Sequence, residues 1–210
     1  MIVGAGSNLA GCTDCHPYEA SQNWFTASLL LEFLIACPAE AFRFFCLTAR
    51  SGLGKSTIGR CVARRLRAAE VPHALVDHEW LTYCWPGLPS DVWNERLATQ
   101  NLASVWSNFA AAGAQRLVYC RVLEARSLLR HVATAVPGAV VTVVLLRTPI
   151  ELIEQRLRAR EPNPDWYLDA AKHLVPRLDP SNVADFVVAN DRRVPDDVAG
   201  EVLDLTQWSR

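Results

Sequence analysis

Lysine is nearly absent from this 210-residue chain: of 21 basic residues 19 are arginine, and only Lys55 and Lys172 are lysine. With plentiful alanine, this bias reads as the codon usage of a GC-rich genome, so a lysine kept at position 55 needs a chemical reason. An excess of either charge is also lacking. The 22 acidic residues leave a net charge of -1, which removes any broad electrostatic reason to expect nucleic acid or an anionic membrane as partner. Any anion site must be local. The apolar stretch from Trp24 to Cys37 contains Glu32 and is shorter than the roughly 20 apolar residues of a spanning helix. No internal repeat or low-complexity segment is present, and the start lacks the basic residues and small-residue cleavage pattern of a secretory signal. The seven cysteines are odd in number and dispersed, which reads as mostly reduced thiols in a cytoplasmic protein. What remains, 50% hydrophobic and 20% charged, suits a single globular domain with one core.

Residues 1–42 show no strand-and-helix alternation and are expected to be an N-terminal extension, partly helical or disordered, ahead of a domain spanning 43–210. From Arg43 onward short apolar runs alternate with amphipathic stretches. Strands are expected at 43–48, 73–77, 117–122, 139–146 and 185–189, the continuous run at 139–146 suiting a strand buried on both faces of a parallel sheet. Between them, Ser56–Glu70 carries Ile58, Cys61, Val62, Leu66 and Ala69 at helical spacing. Asp91–Ala112 follows Ser90 as N-cap and stops at Gly113. A third helix starts at Thr148-Pro149-Ile150-Glu151, a capping-box pattern. Further helices are expected at 124–135, 164–177 and 195–207. Five strands alternating with helices predict an α/β doubly wound, mostly parallel sheet in three layers.

The sharpest motif is Ala49-Arg50-Ser51-Gly52-Leu53-Gly54-Lys55-Ser56-Thr57, placed directly after the first strand and at the start of the first helix. That is the placement of a Walker A loop. Its backbone N–H groups from Gly52 to Thr57 would point at phosphate oxygens, aided by the helix dipole. Lys55 would reach the β- and γ-phosphates as a compact charge, a task arginine performs poorly, and Ser56 would ligate Mg²⁺. Ala49 stands where the strict pattern has glycine, which is tolerable only if its φ stays negative.

Taken with the flanking pattern, residues 43–207 resemble the P-loop small-molecule kinases, such as gluconate, shikimate and adenylylsulfate kinases and chloramphenicol phosphotransferase. The resemblance implies ATP and Mg²⁺ as cofactors and a small-molecule hydroxyl as acceptor. Val76-Asp77-His78-Glu79 matches the Asp-x-Asp/Glu of these kinases. By that likeness Asp77 would orient or deprotonate the acceptor hydroxyl and share the metal with Ser56, and Glu79 would hold the metal shell or the substrate. Capping of the following helix is the other reading of Asp77. Glu154-Gln155-Arg156-Leu157-Arg158-Ala159-Arg160 resembles the helix leading into the lid, so Arg156 and Arg160 would clamp the transferring phosphoryl group; a solvated helix with arginines paired to Glu151, Glu154 and Glu161 fits the same residues. Asn190-Asp191-Arg192-Arg193 resembles the loop packing on adenine, giving Asp191 a nucleotide contact.

The third strand runs Leu117-Val118-Tyr119-Cys120 into Arg121 and lacks a Walker B aspartate. Arg121, at the carboxyl edge where ligands bind in open α/β sheets, would contact an anionic substrate or the phosphates, or else pair with Glu124 or Asp77. Trp80, Tyr83, Trp85 and Trp93 would wall an apolar or ring-containing substrate, or cover the second helix. Cys12-Thr13-Asp14-Cys15-His16 matches a haem-attachment spacing, but without export or a second ligand pair it reads as two thiols in the extension. The expected activity is transfer of the γ-phosphoryl of ATP to a hydroxyl. The alternative is an NTPase or conformational switch with no acceptor, or a member that binds nucleotide without turnover.

Overall fold

The computed structural model describes residues 43–49, 54–87, 89–174 and 180–208. The expected extension 1–42, with its Cys12–His16 motif and apolar run, lies outside the described residues, as do Arg50, Ser51, Gly52 and Leu53 of the phosphate loop.

Strand β1 (Arg43–Thr48) leads to helix α1 (Lys55–Ala68), then β2 (His73–Asp77), the short α2 (His78–Thr82) and α3 (Glu95–Ala111). Next come β3 (Arg116–Arg121), a 3-10 turn (Arg126–Leu129) running into α4 (Arg130–Ala135), and β4 (Val140–Arg147). The chain then forms α5 (Ile150–Arg160), α6 (Asp165–Leu174), the single-turn α7 (Pro180–Val183), β5 (Phe186–Ala189) and α8 (Pro195–Thr206). The strands form one five-stranded sheet in the order β2-β3-β1-β4-β5, and every pairing is parallel.

The alternation along β1 separates two apolar layers. Phe45 and Leu47 pack with Ile58, Val62, Leu66, Leu157, Val198 and Val202 on the face carrying α1, α5 and α8. Phe44 and Cys46 pack with Leu102, Trp106, Tyr119 and Val132 on the face carrying α3 and α4. Side chains alternate across a strand, so β1 is buried on both sides, as its unbroken apolar run requires. Register levels the carboxyl ends: Thr48 pairs with Arg121, and Asp77 with Cys120. From the neighbours β1 and β4 the chain departs in opposite directions, to β2 on one side and β5 on the other, which opens a crevice above those ends.

Three helix starts and ends differ from the sequence reading. Helix α3 begins at Glu95, not Asp91, because the Asp91 carboxylate itself caps it, accepting from the N–H of Glu95 at 2.8 Å and of Arg96 at 2.9 Å. The capping box at Thr148 does not form: Thr148 Oγ1 donates to the Asn190 carbonyl at 2.8 Å, and α5 has no side-chain cap. Ala69 lies beyond the last turn of α1 and is exposed. Gly113 (φ 96°) closes α3 as expected.

Helix α1 approaches the sheet more closely than a side chain allows. A Cβ at Gly59 would lie 2.5 Å from Cys120 Sγ and 3.3 Å from Leu75 Cδ1. The Cys120 thiol in turn donates to the Lys55 carbonyl at 3.5 Å, which seats the first turn of α1 directly on β3.

Candidate active site

The loop after β1 enters α1 through Gly54, whose φ of 84° lies in the left-handed region that glycine adopts without strain. Ala49 is buried in the core, and the non-glycine residues with positive φ among those described are Glu70, Asn94 and Gln207, so the alanine meets the condition on its backbone. Lys55 is the first residue of α1 and only 5% exposed. Burial pushes its ammonium below the ordinary lysine range, Glu79 and Asp77 draw it partly back, and the positive charge of Arg160 adds to the depression. Glu79 Oε1 stands 3.8 Å from Lys55 Nζ.

Ser56, next on the helix, donates its hydroxyl to Asp77 Oδ2. Asp77 Oδ1 accepts from the Glu79 N–H at 3.2 Å and caps α2. The two readings of Asp77 are therefore not exclusive, since each carboxylate oxygen faces a different element. Thr57 is exposed on the same first turn.

Beside this group lies a buried polar cluster that the sequence did not reveal. Arg121, 4% exposed, places Nη2 at 2.9 Å from both oxygens of Glu95, the first residue of α3. It pairs with neither Glu124 nor Asp77. His78 Nε2 lies 3.5 Å from Glu95 Oε1, and its Nδ1 lies 2.6 Å from the Tyr119 hydroxyl. Burial pushes the Tyr119 phenol well above its ordinary range, and its hydroxyl shares one hydrogen bond with His78 Nδ1 while Nε2 faces Glu95. The hydrogen bond from His78, joined by the charge of Arg121, outweighs burial and holds the Glu95 carboxyl below the usual carboxylate range. Thr48 Oγ1 accepts from the Leu123 N–H at 2.9 Å and fixes the chain just beyond Arg121.

The expected phosphoryl clamp divides. Arg156 is bound to backbone, donating to the Asn190 carbonyl at 3.3 Å and the Asp191 carbonyl at 2.5 Å, so it ties α5 to the loop after β5. Arg160 pairs with Glu161 at 2.6 Å and is half exposed, with its charge felt at Lys55. Glu154 pairs with Lys172, at 3.7 Å. Asp191 Oδ1 accepts from the Arg192 N–H at 2.8 Å, and the Asn190 amide approaches Gly54, 3.4 Å from where a Cβ would stand. The loop expected to face adenine thus abuts the start of α1.

The structure brings Lys55, Ser56, Asp77 and Glu79 together and sets Arg121 beside them through His78 and Glu95. Sequence reasoning missed Glu95, His78 and Tyr119. Position gave one signal, a carboxylate at a helix start, but nothing in the chain paired it with an arginine 26 residues away. Buried Cys46 and Cys120 are no nucleophiles, since burial pushes both thiols up to about 12. Among the described residues no cluster of three or more His, Cys, Asp or Glu is arranged to hold a metal, and no helix is long and apolar enough to cross a membrane.

No protein-family model and no curated protein matches the chain. Among solved structures it is similar to a sugar kinase from Janibacter, at 21% identity and a TM-score of 0.55 over 79% of this chain and 94% of that one. It is similar to a gluconokinase from Sinorhizobium meliloti, at 18% identity and a TM-score of 0.55, covering 80% and 94%. It is also similar to the APS kinase of Mycobacterium tuberculosis, solved with AMPPNP and APS, at 23% identity and a TM-score of 0.55, covering 79% and 97%. Together with the all-parallel sheet and the glycine-entered helix after β1, these likenesses give the chain the α/β fold of the P-loop small-molecule kinases.

Proposed function

We propose that the protein transfers the γ-phosphoryl group of ATP to a hydroxyl of a small molecule. The observation that carries the reading is the convergence of a buried ammonium, a hydroxyl and a carboxylate at one helix start: Lys55, Ser56 and Asp77. A buried lysine with a depressed pKa gains most from an incoming polyanion, because phosphate oxygens stabilise the charged form that burial disfavours. The N-terminal turn of α1 supplies further N–H groups and the positive end of its dipole.

The residues fit a magnesium nucleotide. Ser56 and Asp77 present adjacent hard oxygen donors, and Mg²⁺ at nucleotide sites takes one or two protein oxygens beside phosphate and water. An ion held there would neutralise charge on the phosphate oxygens. Arg50, Ser51, Gly52 and Leu53 are proposed to complete the cradle with Ala49, Gly54 and Thr57, and Asp191 to line the nucleotide base.

In the transfer, Asp77 accepts a hydrogen bond from the acceptor hydroxyl and takes its proton late, as the oxygen bonds to phosphorus and the bond to the β-phosphate oxygen breaks. Lys55 stabilises charge on the transferring group, and Arg160, already coupled to Lys55, does so from the α5 side. Arg156 holds the loop after β5 in place. The Lys55–Glu79 pair supports the same reading, as Glu79 supplies the negative charge that phosphate would bring.

Calorimetric titration with ATP, with and without Mg²⁺, followed by a screen of hydroxyl compounds for stimulated ADP release, tests the proposal. Magnesium-dependent binding with acceptor-stimulated turnover supports it. Steady ATP hydrolysis that no acceptor changes supports an NTPase instead, and absence of nucleotide binding removes both.

A further inference from the structure

Asp77, His78 and Glu79 are consecutive, yet their side chains serve two faces of the sheet. Asp77 meets Ser56, and Glu79 Oε1 stands 3.8 Å from Lys55 Nζ, both on the α1 side. His78 turns to the α3 side, where its side chain is 12% exposed. There Nδ1 lies 2.6 Å from the Tyr119 hydroxyl, and the two rings meet edge to face with centroids 5.8 Å apart. Nε2 lies 3.5 Å from Glu95 Oε1, and Arg121 holds both Glu95 oxygens at 2.9 Å. Tyr119 and Arg121 both belong to β3. One strand therefore grips the imidazole at both nitrogens, directly through Tyr119 and indirectly through Glu95.

Apart from the Asp77 cap, little else fixes the start of α2. The helix is five residues long and none of them is buried, although Leu81 packs partly on the core. Trp80, Tyr83, Trp85 and Trp93 are 72% to 94% exposed, so these rings cover neither α2 nor α3. Asn101 Nδ2 donates to the Leu81 carbonyl and Asn94 Nδ2 to the Thr82 carbonyl, which hold the far end of α2 only. Strand β2 lies at the edge of the sheet, paired with β3 alone. Side chains alternate along extended backbone, so a turn of this segment by one residue would carry Asp77 and Glu79 off the α1 side. For stability alone, well-packed apolar side chains would serve as well as this polar cluster. What hydrogen bonds add is direction, and with it a single orientation.

Resting on the phosphotransferase reading above, we propose that His78 is a positioning residue: clamped by Tyr119 and by the Glu95–Arg121 pair, it aims Asp77 and Glu79 at the phosphate end of α1. It touches neither nucleotide nor acceptor. Without the clamp, Asp77 loses its alignment with Ser56 and with it its share of the metal. Glu79 in turn leaves Lys55, whose ammonium is then more open to phosphate. The two consequences differ in sign, since ATP binds less well with Mg²⁺ and no less well without it.

Calorimetric titration of the full chain with ATP, with and without Mg²⁺, tests this, the ratio of the two dissociation constants giving the magnesium gain. The double variant His78→Leu/Tyr119→Phe removes both ends of one hydrogen bond, so neither is left buried and unpaired, and a melting curve checks its fold. Its magnesium gain should fall about threefold or more, while metal-free ATP should bind as tightly as to wild type or more tightly. Tyr119→Phe alone, which trims one oxygen, should show the same signs at smaller size. His78→Asn, whose amide can still bond Tyr119, should keep the gain within about twofold of wild type. Adding Asp77→Asn to the double variant should lower the gain no further than Asp77→Asn alone, because His78 acts through that carboxylate. An unchanged gain, a parallel loss for ATP with and without Mg²⁺, no rescue by His78→Asn, or a further fall in the Asp77→Asn background would overturn the role. If the expected shifts appear but wild type releases no ADP with any hydroxyl compound, the positioning role stands and the phosphotransfer reading is lost. Wild type that binds no ATP removes both.

Discussion

The Ser56 hydroxyl donates to Asp77 Oδ2 while the opposite oxygen of the same carboxylate caps α2. One side chain thereby joins the first turn of α1 to the helix that follows β2. This explains why the two readings of Asp77, functional and structural, point to one position: the cap orients the carboxylate that Ser56 touches.

Asp77→Asn should separate these roles. The amide oxygen can still accept from the Glu79 N–H, so the fold should hold, and because Ser56 keeps its hydroxyl for the metal, MgATP affinity should fall far less than in Lys55→Ala. A neutral amide cannot take the acceptor proton, and phosphotransfer should fall about 10²- to 10⁴-fold. Calorimetry and coupled ADP release measure both quantities on one preparation. Loss of nucleotide affinity as large as that of Lys55→Ala would show that Asp77 serves the nucleotide and not the acceptor.

Gly59→Ala should destabilise the domain by about 1–3 kcal/mol, the cost of overpacking. The new methyl would meet Cys120 Sγ at 2.5 Å in a buried contact, and β3 cannot retreat without disturbing its pairing with β1. Adding Cys120→Ala removes the obstructing sulfur, so the double variant should recover part of the loss in a denaturant-melt cycle. Additive losses would mean that Leu75, at 3.3 Å, sets the limit.

The fold was legible where physics is local. An unbroken apolar run, a glycine turn and a 3.6-residue repeat identify β1, Gly54 and α1, and the sheet strands fall within a residue of their expected ends. Long-range partners were not legible. Arg156 looked like a phosphate ligand, but it binds carbonyls of Asn190 and Asp191, and a backbone carbonyl leaves no mark in a sequence. Thr148 satisfies a capping-box pattern, yet the Asn190 carbonyl beside it takes its hydroxyl. Glu95 meets Arg121 only because β3 lies beside β2 and α3 starts above both.

Glu95→Gln should cost about 1–3 kcal/mol, because it leaves the buried Arg121 with only a neutral acceptor. Exposed Arg64→Ala, which removes one of two arginines on Asp196, should cost less than this. The Glu95 effect also carries a pH signature. Its folded pKa is lowered, so its stabilisation is fully present above the unfolded value of about 4.3 and is lost as pH falls through the lower folded value. The stability gap between wild type and Glu95→Gln should therefore narrow on acidification below about pH 4. A gap that stays constant through that range would show that the pair contributes by packing and not by charge.

Lys55 offers the sharpest separation of stability from function. Its ammonium is buried and its pKa depressed, so the folded chain carries a charge that burial disfavours, only partly compensated by Glu79 at 3.8 Å. Lys55→Met keeps the length of the stem and removes the desolvated charge. The Glu79 carboxylate is 68% exposed and is solvated when the ammonium goes, so breaking this pair leaves no buried charge on Glu79 and this variant should melt near the wild-type temperature. Without the ammonium, MgATP affinity should fall at least about 30-fold, the loss expected when a buried charge pair is broken. Lys55→Arg should not restore it, because the planar guanidinium is bulkier than the ammonium and the position is 5% exposed. A Lys55→Met variant that melts lower but binds MgATP normally would reverse the assignment, making Lys55 a structural partner of Glu79 and moving phosphate recognition to the backbone of the loop alone.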